Sequence, residues 1–252
     1  MTQKKASPVK RWTILAVLAA AFVALISTMA PWEAGLHFLF PGQAQVLYPG
    51  GTLLSLVNQH VQMVAISSGL TILVAVPLGI WVTRPGGRSF RPLVTSVTSI
   101  GQTFPPVAVL ALAVPALGFG VLPTVTALFL YGLLPVVRNT IAGLEAVAPD
   151  ALDAAYGMGM SHRQALLKVE LPLAAPIILA GIRISVIINI GTAAIGAAIG
   201  AGGLGSPIVA GLVQFNVPYV LEGAIPVALL ALLADGLVGN AEATLEHGKA
   251  AA

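Results

Sequence analysis

The chain has 252 residues, 57% of them hydrophobic and only 8% charged, with a net charge of +3 and a mean hydropathy of +0.94. Soluble domains carry about 25% charged residues, so this composition excludes an ordinary water-exposed surface. The few dispersed basic residues exclude a nucleic-acid-binding stripe, and the absence of cysteine excludes disulfides and Cys-based metal sites.

The chain opens on a basic polar segment, residues 1–11, MTQKKASPVKR. An apolar run over 12–31 follows. It is longer than the ~7–15 residues of a signal-peptide core and has no clear small-residue cleavage site, so an uncleaved first helix is expected. Further runs of the ~20 residues that a crossing needs lie at 59–83, 92–115, 121–138, 174–199 and 222–241. Backbone polar groups in hydrocarbon must satisfy one another. The expected fold class is therefore an all-α integral membrane protein of about six transmembrane helices. The expected layout is a membrane domain over 12–243, a polar loop over 139–173 and a tail over 244–252.

The connections differ in charge. The segment between the first two spans is rich in Gly, Pro and Gln and has no basic residue. RPGGRSFR after the second is short and basic, and LGFGVLP after the third is uncharged. All twelve basic residues (Lys4, Lys5, Lys10, Arg11, Arg84, Arg88, Arg91, Arg138, Arg163, Lys168, Arg183 and Lys249) fall on or toward one side of a six-span arrangement. Lys and Arg concentrate on the cytoplasmic side. Both termini and the 139–173 loop are thus expected in the cytoplasm.

Several residues inside the spans invite attention. Pro105-Pro106 removes two consecutive backbone donors and is the best candidate for a helix break. Small residues such as Gly181 serve close helix packing or, alternatively, kinked helices along a gated path. Ionisable groups at membrane depth are costly. Arg183 and Asp235 are therefore a candidate intramembrane polar pair, read as structural glue rather than a proton relay. His37 and His60 are expected at the outer interface and have no metal-ligand spacing. Gly200 to Gly205, GAGGLG, fits G-x-G-x-x-G but follows a membrane span. A dinucleotide site needs a strand before it and an acidic residue about 20 positions on, so a tight turn is expected instead.

The longest polar connection runs from Asp153 to Pro172, DAAYGMGMSHRQALLKVELP. Asp153, Ala154 and Ala155 would lie on a first short helix, which Gly157 and Gly159 would bend or end. Ser161 can cap a second helix through an orphan amide, and Pro172 suits the first turn of the next span. Such a helix could insert into a partner's groove or lie on the lipid surface. The pattern alone leaves both open.

A resemblance bears on this choice. Asp153-Ala154-Ala155, Gly159 and Val169-x-Leu171-Pro172 resemble the coupling motif of ABC importer permeases: E-A-A, three residues, Gly, nine residues, Ile-x-Leu-Pro. Asp153 stands for Glu and Val169 for Ile. LFLYGLLPVVRNTIAGLEAV before the motif and IGAGGLG after it are similar to permeases of the osmoprotectant importers for glycine betaine, choline, carnitine or proline betaine. The resemblance spans about residues 50–240. It implies a binding-protein-dependent ABC importer permease (MetI-like) fold in the bacterial cytoplasmic (inner) membrane. It also implies three kinds of partner: a cytoplasmic ABC ATPase dimer, a second permease subunit, identical or paralogous, and a periplasmic or lipid-anchored substrate-binding protein. Asp153, Ala154, Ala155, Gly159, Leu171 and Pro172 would carry coupling. ATP-Mg would sit on the partner ATPase, with no cofactor on this chain and no catalysis by it. An importer for another small solute such as methionine, or a stand-alone secondary transporter, remains the alternative.

Overall fold

The computed structural model describes residues 8–250, with side chains from 10 to 244. Lys4, Lys5 and the side chain of Lys249, three of the twelve basic residues above, lie outside the described part. Among the described residues there are helices and turns but no strands. The helices are α1 (Pro8–Ser27), α2 (Ala30–Leu39), α3 (Leu53–Thr83), α4 (Arg91–Thr103), α5 (Pro106–Leu117) and α6 (Val121–Glu145). They continue with α7 (Pro149–Gly157), α8 (His162–Ala165), α9 (Leu171–Ala193), α10 (Gly205–Gln214) and α11 (Val217–Ala250). Five helical stretches among the described residues are long and apolar enough to cross a membrane.

The third expected span is not one straight helix. α4 and α5 meet at 98°. Proline disfavours the helical region for the residue before it, and Phe104 and Pro105 accordingly have ψ of 141° and 142°. At ~1.5 Å per residue, neither half alone spans a hydrocarbon core of ~30 Å. α6 and the bend serve each other: the Tyr131 hydroxyl donates to the Phe104 carbonyl, and Gln102 Nε2 donates at 2.8 Å to the Tyr131 carbonyl, which Pro135, four residues on, cannot pair.

The segment after the first span is also more ordered than expected. It contains α2, whose Trp32 and Leu36 are one turn apart and buried with Phe22, Ile26, Val46 and Leu53. The Trp32 indole donates to the Leu25 carbonyl at 3.0 Å, fixing α2 across the end of α1. α1 itself touches the bundle mainly through α11 and leaves Ile14, Val17, Leu18 and Val23 exposed.

The centre is built from α3, α6 and α9. More than half of the apolar stretch of α6 is buried, and its glycines allow close approach. A Cβ on Gly132 would lie 2.5 Å from Ser185 Oγ of α9 and 2.9 Å from Thr71 Oγ1 of α3. A Cβ on Gly181 of α9 would lie 2.8 Å from the Pro135 carbonyl oxygen of α6. Small residues let membrane helices pack backbone to backbone where no hydrophobic effect drives them together.

His60 is packed inside the protein rather than on its surface. It is fully buried on α3, and its Nε2 donates to the Ile190 carbonyl at 2.9 Å. That carbonyl lies where α9 tightens into a 3-10 turn over Ala194–Ile199, so the histidine serves a helix end whose hydrogen-bond ladder changes. Beyond it, Gly200, Gly202 and Gly203 have φ of +80°, +81° and +70°. They form a tight turn that Gln59 holds by accepting from Gly203 N–H at 3.0 Å.

Candidate functional site

α6 ends at Glu145, and Pro149 starts α7 from an extended Ala148. Asp150 lies in the first turn, where negative charge offsets the unpaired amides. α7 ends in a turn: Met158 N–H donates to the Ala154 carbonyl at 3.0 Å, and Met160 N–H to the Ala155 carbonyl at 3.1 Å. Gly159 has φ +81° with no atom near its missing Cβ. Glycine is therefore favoured there by backbone conformation, not by crowding.

Ser161 then caps α8. Its hydroxyl accepts from Gln164 N–H at 3.3 Å, while Gln164 Oε1 accepts from Ser161 N–H at 2.9 Å. This reciprocal capping box satisfies two orphan amides. The helix does not stop before the next span, contrary to the two-helix expectation. It widens into a π turn over Leu166–Glu170 and runs on as α9. The widening sits where the Pro172 ring would otherwise meet the carbonyl of Lys168, four residues back. His162–Ile199 is consequently one continuous rod of 38 residues, about 55 Å long.

The motif residues divide between surface and core. Asp153, Ala154, Gly159 and Pro172 are exposed. Ala155 is buried, and Leu171 packs with Leu152 and Leu166 on a cluster of Leu144, Val147, Ala174 and Ile178. This apolar cluster ties α7 and the start of the rod to the end of α6. Tyr156, Met158 and Leu167 remain exposed, Met158 by 71%. Tyr156 lies edge-on to His162, its hydroxyl 3.2 Å from Nδ1. Tyr156, His162, Arg163, Leu166, Arg84 and Pro85 line a cleft of about 460 Å³.

Two ion pairs brace this end. Arg84, at the end of α3, donates to both oxygens of Glu170 at 2.9 and 2.6 Å, and Glu170 is buried. Arg91, at the start of α4, donates to both oxygens of Glu145, and this pair is exposed. Sequence reasoning missed both, since residues 86 and 54 positions apart give no local signal. The Glu170 pair had one faint cue, an acid set among the apolar residues of VELP.

Arg183 and Asp235 are brought together. Arg183 Nε and Nη2 donate to Asp235 at 2.6 and 2.7 Å, and Nη1 lies 3.5 Å from Glu242. The arrangement joins α9 to α11. Among the described residues no group of His, Cys, Asp or Glu could hold a metal ion.

Long apolar helices packed through glycine, with a braced polar elbow running directly into one of them, define a polytopic helical membrane protein. The family described as the binding-protein-dependent transport system inner membrane component matches residues 75–247. The osmoprotectant import permease protein OsmY of Salmonella typhimurium is 40% identical over 216 residues, covering 86% of this chain and 89% of that protein. The glycine betaine/carnitine/choline transport system permease protein OpuCB of Bacillus subtilis is 41% identical over 193 residues, covering 77% of this chain and 88% of the relative. Among solved structures, an inward-facing MetNI methionine ABC transporter matches with a TM-score of 0.68 at 22% identity, over 77% of this chain and 95% of that one. The chain belongs to the family of binding-protein-dependent transport system inner membrane components. It is a multi-pass permease subunit with the fold seen in that transporter.

Proposed function

We propose that the chain is the permease of an ATP-driven importer for osmoprotectants, small quaternary-ammonium solutes such as glycine betaine, choline, carnitine or proline betaine. Relatives at 40% and 41% identity over most of their length carry osmoprotectant or glycine betaine, carnitine and choline in their names. The methionine transporter shares the fold at 22% identity, too distant to argue for its solute.

The observation that carries the mechanism is the continuous rod from His162 to Ile199. A push on its exposed end reaches the centre of the bundle through one unbroken run of helical turns. In this reading α7 and α8 dock on a cytoplasmic ABC ATPase dimer. Asp153, Ala154, Ala155 and Gly159 form the contact and its bend, and Leu171 and Pro172 join the contact to α9. Tyr156, Met158 and Leu167 supply apolar surface for it. ATP-Mg binds and is hydrolysed on the ATPase, while this chain catalyses nothing. The excess of Lys and Arg at this end supports placing it, with both termini, in the cytoplasm. A second permease subunit, identical or paralogous, completes the path, and a periplasmic or lipid-anchored binding protein delivers the solute.

The test is co-purification of the chain with the products of neighbouring genes, followed by ATPase assay in nanodiscs with the purified binding protein. Stimulation requiring both binding protein and glycine betaine is expected. A stable complex stimulated by methionine instead would move the assignment to the other importer, and failure to capture any ATPase would overturn the coupling role.

A further inference from the structure

α1 meets α11 where Leu15 touches Gly236. Because Ala16 and Ala19 are small, a trough remains beside this contact, lined by Trp12, Leu15, Ala19, Leu233, Ala234 and Leu237, with a volume of about 440 Å³. Its walls are apolar and it is open on one side. From Trp12 to Ala19 it extends through about 10 Å of bilayer depth.

The mouth of the trough is marked by charge. Arg11 is one helical turn from Leu15, so it stands on the same face of α1. Its backbone carbonyl accepts from Asn240 Nδ2 at 3.3 Å, which fixes this part of α1 against α11. Among the described residues no carboxylate pairs with the Arg11 guanidinium, and the Trp12 indole N–H has no protein acceptor. Trp12 is 40% exposed, and tryptophan favours the headgroup level with its ring in the apolar zone. Among the described residues, then, a cation without a carboxylate partner and an N–H donor without an acceptor stand at the end of an acyl-sized trough. Lys10 lies on the other side of α1, two residues and ~200° from Trp12. A second groove between α1 and α11, lined by Leu18, Phe22, Leu25 and Leu232 among others, has about 310 Å³; neither lining holds a basic residue, but Arg11 stands one helical turn beyond Leu15 of the first.

We propose that the trough between α1 and α11 is a binding site for an anionic phospholipid, with an acyl chain against Ala19 and Ala234 and the phosphate on Arg11 and the Trp12 indole. The inference needs only that the chain is embedded in a bilayer. It stands whichever solute is carried.

Trp12 is its own reporter. The full chain, purified with its partner subunits, is placed in phosphatidylcholine nanodiscs doped with brominated phosphatidylglycerol or brominated phosphatidylcholine. Subtracting the fluorescence of the Trp12→Phe protein isolates Trp12 from the other tryptophans. Half-quenching is expected at an about fivefold lower mole fraction of the brominated phosphatidylglycerol, the preference that one well-placed cation gives. Arg11→Gln should abolish the preference and Lys10→Gln should keep it, and Ala234→Leu should weaken quenching by both lipids. Each variant is checked for monodisperse elution of the intact complex. Equal quenching by the two lipids overturns the site, as does a preference that survives Arg11→Gln or is lost equally in Lys10→Gln. Absence of quenching by either lipid also overturns it, because protein then covers the trough.

Discussion

Glu170 receives both arms of the Arg84 guanidinium, at 2.9 and 2.6 Å, and is almost wholly buried while Arg84 stays one-third exposed. The pair fixes the start of the 38-residue rod to the end of α3. Hydrogen bonds to charged groups are worth about 1.5–3 kcal/mol, and the buried partner suffers most when one side is removed. Arg84→Gln should therefore lower stability by about 2 kcal/mol, read as an earlier thermal unfolding in detergent, and should blunt ATPase stimulation. Arg84→Lys keeps the charge but loses the two-armed geometry and should fall between. If Arg84→Gln and Glu170→Gln were each harmless and additive in the double variant, the brace would carry no function.

At Gly159 the φ of +81° is open to glycine and, at a cost, to asparagine. The space around it is empty, so a substitution is opposed by conformation alone, about 1–2 kcal/mol for a residue with a Cβ. Gly159→Asn should retain most substrate-stimulated ATPase activity. Gly159→Val should lose it while membrane insertion and assembly with the second permease persist. Equal activity in the two variants would mean that the bend is not what the loop needs.

How much of this was legible depends on the range of the chemistry involved. The Ser161 cap was readable because its partner, Gln164, is three residues away. The break at Pro105-Pro106 was readable in place, since proline acts on its own neighbours, but the 98° angle depends on Tyr131 and Gln102 holding the bend against α6. α2 was missed because Gly and Pro around it suggested a loop, although Trp32 and Leu36 have helical spacing. The partner of His60 was not readable, because nothing local announces that Ile190, 130 residues on, offers it a carbonyl. The continuity of α8 with α9 was hidden by Pro172, which usually begins a helix and here sits beside a π turn instead. Arg183 and Asp235 were paired by a different logic: two costly charges at similar depth need each other.

Gly181 offers a packing test. A Cβ there would lie 2.8 Å from the Pro135 carbonyl oxygen and 3.0 Å from Asn139 Cγ, and backbone cannot yield as a flexible side chain can. Overpacking a tight core costs about 1–3 kcal/mol. Gly181→Ala should lower the unfolding temperature in detergent, and Gly181→Val more so. By contrast Gly191→Ala, with nothing within 4 Å of its missing Cβ, should be neutral. Equal effects at the two sites would show that α6 and α9 do not rely on close approach.

The Arg183 cluster is unequal in its members, and that makes a sharper prediction than loss of a pair. Asp235 takes two short bonds, while Glu242 stands 3.5 Å away on the next turns of α11. Asp235→Asn leaves Arg183 a second carboxylate and an amide oxygen to bond. Arg183→Gln instead leaves two carboxylates facing each other with no cation, in a region where stranded charge is expensive. Arg183→Gln should therefore reduce assembled complex and transport several times more than Asp235→Asn does. The double variant Arg183→Gln with Asp235→Asn should recover part of the loss. Radiolabelled glycine betaine uptake, normalised to assembled complex, measures both effects. If Asp235→Asn proved the more damaging, Asp235 would be acting on its own account, and the reading of this cluster as a staple between α9 and α11 would have to be abandoned.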